Sequence, residues 1–179
     1  AGAPGAMEQT FGSSCHGAGR VLSRTQAVKT AKGRAINREL EDKGIFAVVI
    51  ASSDEKNWSQ GIDLEWLMER RAADDLHAIR SFIYRMNDVF KKLLLYPMPV
   101  IAAINGHAFG NGALLACTCD FRFMRSDKGF FCFPEVDVSI PFLPGMIAFA
   151  RKAVPEYKYQ EMVYTGKRFT APELEEHHV

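Results

Sequence analysis

The chain from residue 45 onward contains two kinds of apolar pattern. Continuous apolar runs at residues 46–51 and 100–104 are typical of buried strands, and residues 121–124 and 129–133 predict two further short strands. Between the first two runs, apolar residues recur at intervals of three or four, as in an amphipathic helix. They are Ile79, Phe82, Met86, Val89, Phe90 and Leu93. Strands that alternate with helices predict an α/β architecture with parallel strand pairing.

Turn and capping residues set the boundaries of these elements. Gly61 predicts a tight turn, followed by a helix that begins at about Leu64. An alanine-rich helix is predicted at residues 146–153. Thr170 and Glu173 have the spacing of a capping box, which predicts the start of a last helix.

Residues 100–120 combine a strand with a glycine-rich segment. A β-branched run ends in Asn105-Gly106, and Gly110 and Gly112 precede an apolar segment of helical length, which predicts strand, tight turn and helix start. The amide groups of a first helical turn have no internal partner, and together with the helix dipole they stabilise a developing negative charge. The stretch therefore predicts an oxyanion site. A glycine-rich turn that serves only packing is the alternative.

Composition and charge narrow the function classes. With 47% apolar and 24% charged residues, the 179-residue chain has the composition of one globular domain, and its net charge of +1 argues against a chain-wide surface for nucleic acids or membranes. Cys15, Cys117, Cys119 and Cys132 form no C-x-x-C pair, and the last three lie in apolar runs, which predicts buried free thiols and a reducing compartment. Because no apolar run is long enough to span a bilayer, we expect a soluble, cytoplasmic protein without membrane contact.

Residues 1–44 form a separate segment, predicted as a loop followed by a helix. Within it, Phe11-Gly-Ser-Ser-Cys-His-Gly-Ala-Gly-Arg-Val-Leu-Ser-Arg24 resembles the motif around the GMP-binding histidine of RNA ligases that join 3′-phosphate to 5′-hydroxyl ends. The resemblance implies His16 as a nucleophile, Arg20 and Arg24 near phosphate, and GTP, manganese and RNA as ligands. The other motifs of such ligases, which supply the converging metal ligands, are not found. A loop and helix start without ligase function is therefore the alternative.

Residues 45–179 form the second segment and, from about residue 46, resemble the crotonase superfamily, the enoyl-CoA hydratase and isomerase group. Residues 46–64 resemble the superfamily's first oxyanion loop, with Gly-x-Asp-Leu at its end. Residues 99–120 resemble the block Pro-x-Ile-Ala-x-x-Asn-Gly-x-Ala-x-Gly-x-Gly. Phe133-Pro-Glu135 resembles the position of an acid-base glutamate, and residues 164–170 resemble a stretch downstream of the site. The resemblance implies a crotonase-like spiral of ββα repeats that acts on acyl-CoA.

The same resemblance assigns the candidate site residues. The backbone N–H groups of Gln60 and Asn111 would hold the thioester oxygen, and Glu135 would be the acid-base group. Their motif neighbours would contact the substrate: Gly61, Asp63, Gly110, Gly112 and Leu114. For Asp63, capping of the following helix is the preferred interpretation. Preorganised main-chain donors stabilise an enolate by on the order of 3–4 kcal/mol each, whatever side chains their residues carry.

Leu114 occupies the position at which hydratases of the superfamily carry the first of their two glutamates. Water addition needs one group to orient water and another to deliver a proton, whereas a double-bond shift needs a single base. We therefore expect a Δ3-Δ2-enoyl-CoA isomerase-like site with Glu135 as the proton shuttle. Asp137 is the nearest substitute base, since alternate residues of a strand share a face, and we expect His107 to be a packed, hydrogen-bonded histidine.

From the resemblance, we expect this sequence to lack the superfamily's N-terminal hairpin and C-terminal helices. We expect a core truncated at both ends, with an N-terminal segment of different origin, exposed apolar faces, self-association as in the typically trimeric superfamily, and weak or no activity. No metal and no cofactor are expected, apart from coenzyme A as part of the substrate. The alternatives are an RNA ligase fragment that uses His16 and a catalytically silent fold, chimeric or designed.

Overall fold

The computed structural model describes residues 42–179. The ligase-like features predicted at His16, Arg20 and Arg24 lie outside the described residues. Within the described range the elements are β1 (Val48–Ile50), β2 (Asn57–Ser59), α1 (Leu64–Ala72), α2 (Leu76–Leu94), β3 (Val100–Ile104), β4 (His107–Phe109), α3 (Asn111–Thr118), β5 (Phe121–Met124), β6 (Phe131–Cys132), a 3-10 turn (Pro134–Val136), α4 (Pro144–Ala153), α5 (Glu156–Thr165) and α6 (Ala171–Glu175).

The strands of this range form two parallel sheets that alternate along the chain. The odd-numbered strands form one sheet in the order β1-β3-β5, and the even-numbered strands form the other in the order β2-β4-β6. Each odd strand is followed by an even strand and then by a helical segment: α1 and α2 after β2, α3 after β4, and the 3-10 turn after β6. The α/β class, the parallel pairing and the ββα repeat are confirmed.

The stretch at residues 100–120 contains one element more than its sequence predicts. Strand β3 and helix α3 are present, but β4 lies between the Asn105-Gly106 turn and the helix. Strand β4 is three residues long, too short to carry a recognisable alternation, and its partners β2 and β6 are distant in sequence. Pairing with these strands, rather than local preference, makes it a strand.

Two predicted apolar faces are less buried than their sequence indicates. In and before β1, Val49 is 59% exposed and Phe46 is 69% exposed. Among residues 42–179, β1 pairs only with β3 and lies at the edge of its sheet, and an apolar run alone does not distinguish an edge strand from a central one. On α2, Phe90 is buried but Val89 is 52% exposed, so the predicted stripe packs against the core only in part.

Helix α3 is the centre of the core. Six of its eight residues are buried, and Leu114 has no exposed surface. Lys152 of α4 reaches the C-terminal end of this helix and donates from Nζ to the carbonyl oxygens of Cys117 (3.2 Å), Thr118 (3.4 Å) and Cys119 (3.0 Å). The ammonium group thereby satisfies carbonyl groups that a helix end leaves without internal partners, and its charge complements the helix dipole.

Several smaller predictions hold within the described residues. Cys117, Cys119 and Cys132 are buried free thiols, and burial raises the pKa of the first to about 11 and of the other two to about 12. The capping box is present, since the N–H of Thr170 donates to Glu173 Oε2 at 2.8 Å. Between residues 42 and 179, no helix combines the length and the apolar character that crossing a bilayer requires.

Replacing Lys152 with Met should lower the free energy of unfolding by about 2 kcal/mol, because it keeps the apolar stem but leaves buried carbonyl groups of α3 without their charged donor. Urea denaturation followed by circular dichroism measures the change. The matched control is Lys92→Met, at an exposed position of α2, which should shift stability by no more than about 0.5 kcal/mol. Equal unfolding curves for both variants would show that the Lys152 contacts do not stabilise α3.

Candidate active site

The three candidate catalytic residues follow the three strands of the even-numbered sheet. Gln60 comes directly after β2, Asn111 is separated from β4 only by Gly110, and Glu135 lies in the 3-10 turn after β6. Because the strands are parallel, their carboxyl ends meet at one edge of the sheet, where α/β proteins commonly bind ligands. The N–H of Gly110 donates to the carbonyl of Cys132 at 3.0 Å, which fixes the end of β4 to the end of β6.

The loop after β2 touches the start of α3. Gly61 has a φ of +91°, and a Cβ added to it would lie 2.9 Å from the carbonyl oxygen of Phe109 and 3.2 Å from the backbone nitrogen of Asn111. The space beside Gly61 is thus bordered directly by the Asn111 amide. Glycine is needed here both for the backbone conformation and for this close approach. The predicted convergence of the Gln60 loop and the Asn111 helix start is therefore present.

The N-terminal end of α3 has no side-chain cap. Its N-cap is Gly110, with a φ of +53° and no side chain that could accept from the first-turn amides. At the opposite end, Lys152 and Arg122 donate to main-chain carbonyl oxygens. The helix therefore directs amide groups and the positive end of its dipole toward the site.

The Glu135 carboxyl group lies on the other side of Gly110. A Cβ added to Gly110 would lie 3.2 Å from Glu135 Oε1. Glu135 is only 6% exposed, and its Oε2 has no hydrogen-bond partner among the described residues. Burial raises the pKa of Glu135 from its ordinary value of 4.5 to about 7, because the charged form is poorly solvated there. Such a carboxyl group both accepts and returns a proton near neutral pH.

Three of the residues predicted to contact substrate have structural contacts of their own. Asp63 is the N-cap of α1 and accepts from the N–H of Trp66 at 2.9 Å, as its structural interpretation predicts. Gly112 packs against Ser59, where an added Cβ would lie 2.3 Å from the Ser59 carbonyl oxygen. Leu114, predicted to bind substrate, has its whole side chain in the core of the described structure.

His107 is a packed histidine, as predicted. Its Nδ1 accepts from the N–H of Phe130 at 3.2 Å, and its ring stacks on the Phe130 ring with a centroid distance of 5.6 Å. Desolvation, followed by the charges of Lys56 and Arg168, lowers its pKa. It has no part in the site described above.

The prediction that Asp137 shares a strand face with Glu135 is wrong. Residues 134–136 form a 3-10 turn rather than a strand, so Glu135 and Asp137 do not share a face. Glu135 is buried, whereas Asp137 is exposed and lies beside Gly166, where an added Cβ would be 2.8 Å from Asp137 Oδ2.

The sequence did not predict the role of Lys152 at the end of α3, because a lysine in an alanine-rich helix has the same pattern as a solvated residue.

Comparison with known proteins agrees with this geometry. The family model described as enoyl-CoA hydratase/isomerase matches residues 25–179. The chain is 32% identical over 132 residues to enoyl-CoA delta isomerase 2, peroxisomal, of Arabidopsis thaliana, a match that covers 71% of this chain and 54% of that protein. It is 31% identical over 134 residues to a short-chain-enoyl-CoA hydratase of Clostridium acetobutylicum, covering 74% of this chain and 49% of that protein.

Among solved structures, human enoyl Coenzyme A hydratase domain-containing protein 3 has a TM-score of 0.66 and 28% identity, and the match covers 88% of this chain and 59% of that one. The protein therefore belongs to the enoyl-CoA hydratase/isomerase family, that is, to the crotonase superfamily. The chain spans about half the length of the curated relatives it matches. The resemblance of residues 11–24 to RNA ligases gains no support from these matches, and the family match begins at residue 25, inside the predicted N-terminal segment.

A metal centre also has no candidate in the described part of the chain. Residues 42–179 contain no group of three or more His, Cys, Asp or Glu side chains arranged to hold a metal ion.

Replacing Glu135 with Gln should stabilise the protein at pH 8. The folded state holds a proton that the unfolded chain releases between about pH 4.5 and 7, so the free energy of unfolding falls as pH rises through this window. The shift corresponds to about 3 kcal/mol, which is the upper limit of the expected gain. Urea denaturation at pH 4 and pH 8 tests this, with the exposed Glu175→Gln as the control. A stability difference that is the same at both pH values would contradict the assigned burial cost.

Proposed function

We propose that this protein acts on acyl-CoA thioesters and shifts a double bond from the Δ3 to the Δ2 position. The observation that carries the proposal is the arrangement at the carboxyl edge of the β2-β4-β6 sheet. There the Gly61 loop meets the amide of Asn111, and the buried carboxyl group of Glu135 lies against Gly110. An oxyanion site with an adjacent carboxylate is the combination that proton transfer next to a thioester requires.

The reaction would use the main chain for charge and Glu135 for the proton. The N–H groups of Gln60 and Asn111 hold the thioester oxygen, which receives negative charge when the Glu135 carboxylate removes a proton from C2. The electron pair of that C–H bond forms an enolate conjugated with the C3–C4 double bond. The Glu135 carboxylic acid then returns the proton to C4, which leaves the double bond between C2 and C3.

A double-bond shift is favoured over water addition because it needs a single base, and Glu135 is the one buried carboxyl group among residues 42–179. At the hydratase glutamate position, Leu114 is fully buried in the core, so it supplies no group to orient water. A pKa of about 7 also suits a residue that must be basic in one step and acidic in the next. The similarity to the Arabidopsis thaliana protein named as an enoyl-CoA delta isomerase supports the same assignment.

Replacing Glu135 with Gln should lower the isomerisation rate of a 3-enoyl-CoA by roughly 10²- to 10⁴-fold, because the amide cannot accept the C2 proton. Absorbance of the conjugated product measures the rate, and calorimetry should show that thioester binding is retained. The matched control is Asp137→Asn, which should keep wild-type activity, since Asp137 is exposed beside Gly166.

Unchanged turnover in the Glu135→Gln variant would reject the assigned base. A wild-type protein that binds the thioester but exchanges no C2 proton for deuterium would instead be a silent binding fold. Formation of a 3-hydroxyacyl-CoA from a 2-enoyl-CoA in the same assay would favour hydration.

Replacing Gly61 with Ala should reduce isomerisation by roughly 10²-fold or more, because the new methyl group lies 3.2 Å from the Asn111 nitrogen and blocks its N–H. Gly44→Ala is the control: Gly44 also has a positive φ, +71°, but no atom lies within 4 Å of an added Cβ. The control therefore reproduces the backbone strain without the obstruction. Similar activity losses in both variants would contradict a specific role for the space beside Gly61.

A further inference from the structure

The side chain of Asn111 has an unexplained position at the proposed oxyanion site. Its Cβ lies 3.6 Å from where a Cβ on Gly61 would be, so the side chain leaves the backbone beside the same space that the Asn111 nitrogen borders. Its Oδ1 is buried and has no hydrogen-bond partner among residues 42–179. A buried polar atom without a partner is unfavourable, and a bound ligand commonly supplies the missing partner.

The chemistry of the amide group decides what that partner is. An acceptor oxygen beside the thioester oxygen would repel the charge that develops there. The terminal torsion of asparagine is broad and roughly two-fold, so a half-turn exchanges the oxygen and the amino group with little change of shape. No partner holds the buried end of the amide in its present orientation, so the amino group is free to turn toward an oxyanion.

We propose that the side-chain amide of Asn111 donates to the thioester oxygen as a third donor, beside the main-chain N–H groups of Gln60 and Asn111. This inference rests on the proposed function, since it assigns a further residue to the same site. It concerns substrates that carry a thioester carbonyl and adds no requirement on the acyl chain. It also explains why a polar residue is accommodated at a glycine-rich turn between β4 and α3.

Two variants separate the side chain from the main chain. Asn111→Ala removes the amide but keeps the backbone N–H, and Asn111→Asp keeps the shape but replaces the amino group with a second oxygen. We expect kcat for isomerisation to fall roughly 10- to 100-fold in the alanine variant, with KM little changed, and to fall further in the aspartate variant because its charge repels the enolate. Asn111→Ala should be at least as stable as the wild type, since no hydrogen bond of Oδ1 is lost and an unpartnered buried atom is removed.

A spectroscopic readout makes the test independent of turnover. The infrared stretch of a ¹³C-labelled thioester carbonyl, in a saturated acyl-CoA bound to each protein, should move to higher frequency in Asn111→Ala and Asn111→Asp than in the wild type. It should stay at the wild-type frequency in Glu135→Gln, which keeps all three donors.

Wild-type carbonyl frequency and wild-type kcat in both Asn111 variants would overturn the third donor while leaving the proposed function in place if Glu135→Gln is inactive. Failure of the wild-type protein to bind or isomerise any thioester would overturn both. A loss of activity in Asn111→Ala without a carbonyl shift would also reject donation to that oxygen.

Discussion

The candidate site depends on the burial of helix α3, whose C-terminal carbonyl groups have side-chain partners and whose N-terminal amide groups have none. Burying a helix costs free energy at each end whose N–H or C=O groups lack partners. At the C-terminal end, the Lys152 ammonium group takes up three carbonyl oxygens, and Arg122 donates to that of Cys119 as well. At the N-terminal end, Gly110 has no side chain that could accept from the first-turn amides, which therefore remain available at the candidate site. The structure thereby holds the positive end of the helix dipole at a fixed position beside the candidate site, without a side-chain cap.

Burial of Glu135 at the same edge of the sheet is energetically unfavourable for its charged form. Its carboxyl group is buried beside Gly110, and one oxygen has no partner among the described residues, so the ionised form is destabilised and the pKa rises to about 7. A solvated glutamate would be a better component of a stable fold but a weaker acid-base group at neutral pH. Burial of this carboxyl group therefore lowers the stability of the fold as pH rises toward about 7.

The sequence allowed prediction of those features that depend on local chemistry. The Asp63 and Thr170 caps and the parallel α/β class follow from spacing, capping residues and motifs, whereas the roles of Gln60, Asn111 and Glu135 stay predictions. Strand β4 was missed because three residues carry no periodicity, and it exists through pairing with β2 and β6. Asp137 was misplaced because a single 3-10 turn changes which residues share a face. Lys152 was not predicted because its partners lie on α3, more than thirty residues earlier, and no local pattern distinguishes it from a solvated lysine.

The proposed role of Gln60 and Asn111 depends on their main-chain N–H groups. It therefore does not require small side chains at these two positions. An N–H group depends on backbone position, and that position is set here by Gly61, which packs against the Asn111 amide, and by Gly110, which turns the chain into α3. Exposure of the Gln60 side chain means that its bulk need not enter the space between the loops. The two glycines therefore constrain the site more strictly than the donor residues themselves. Substitution of Asn111 changes only the side chain beside the proposed site, whereas a Cβ on Gly61 would lie 2.9 Å from the Phe109 carbonyl oxygen and disturb the contact between loop and helix.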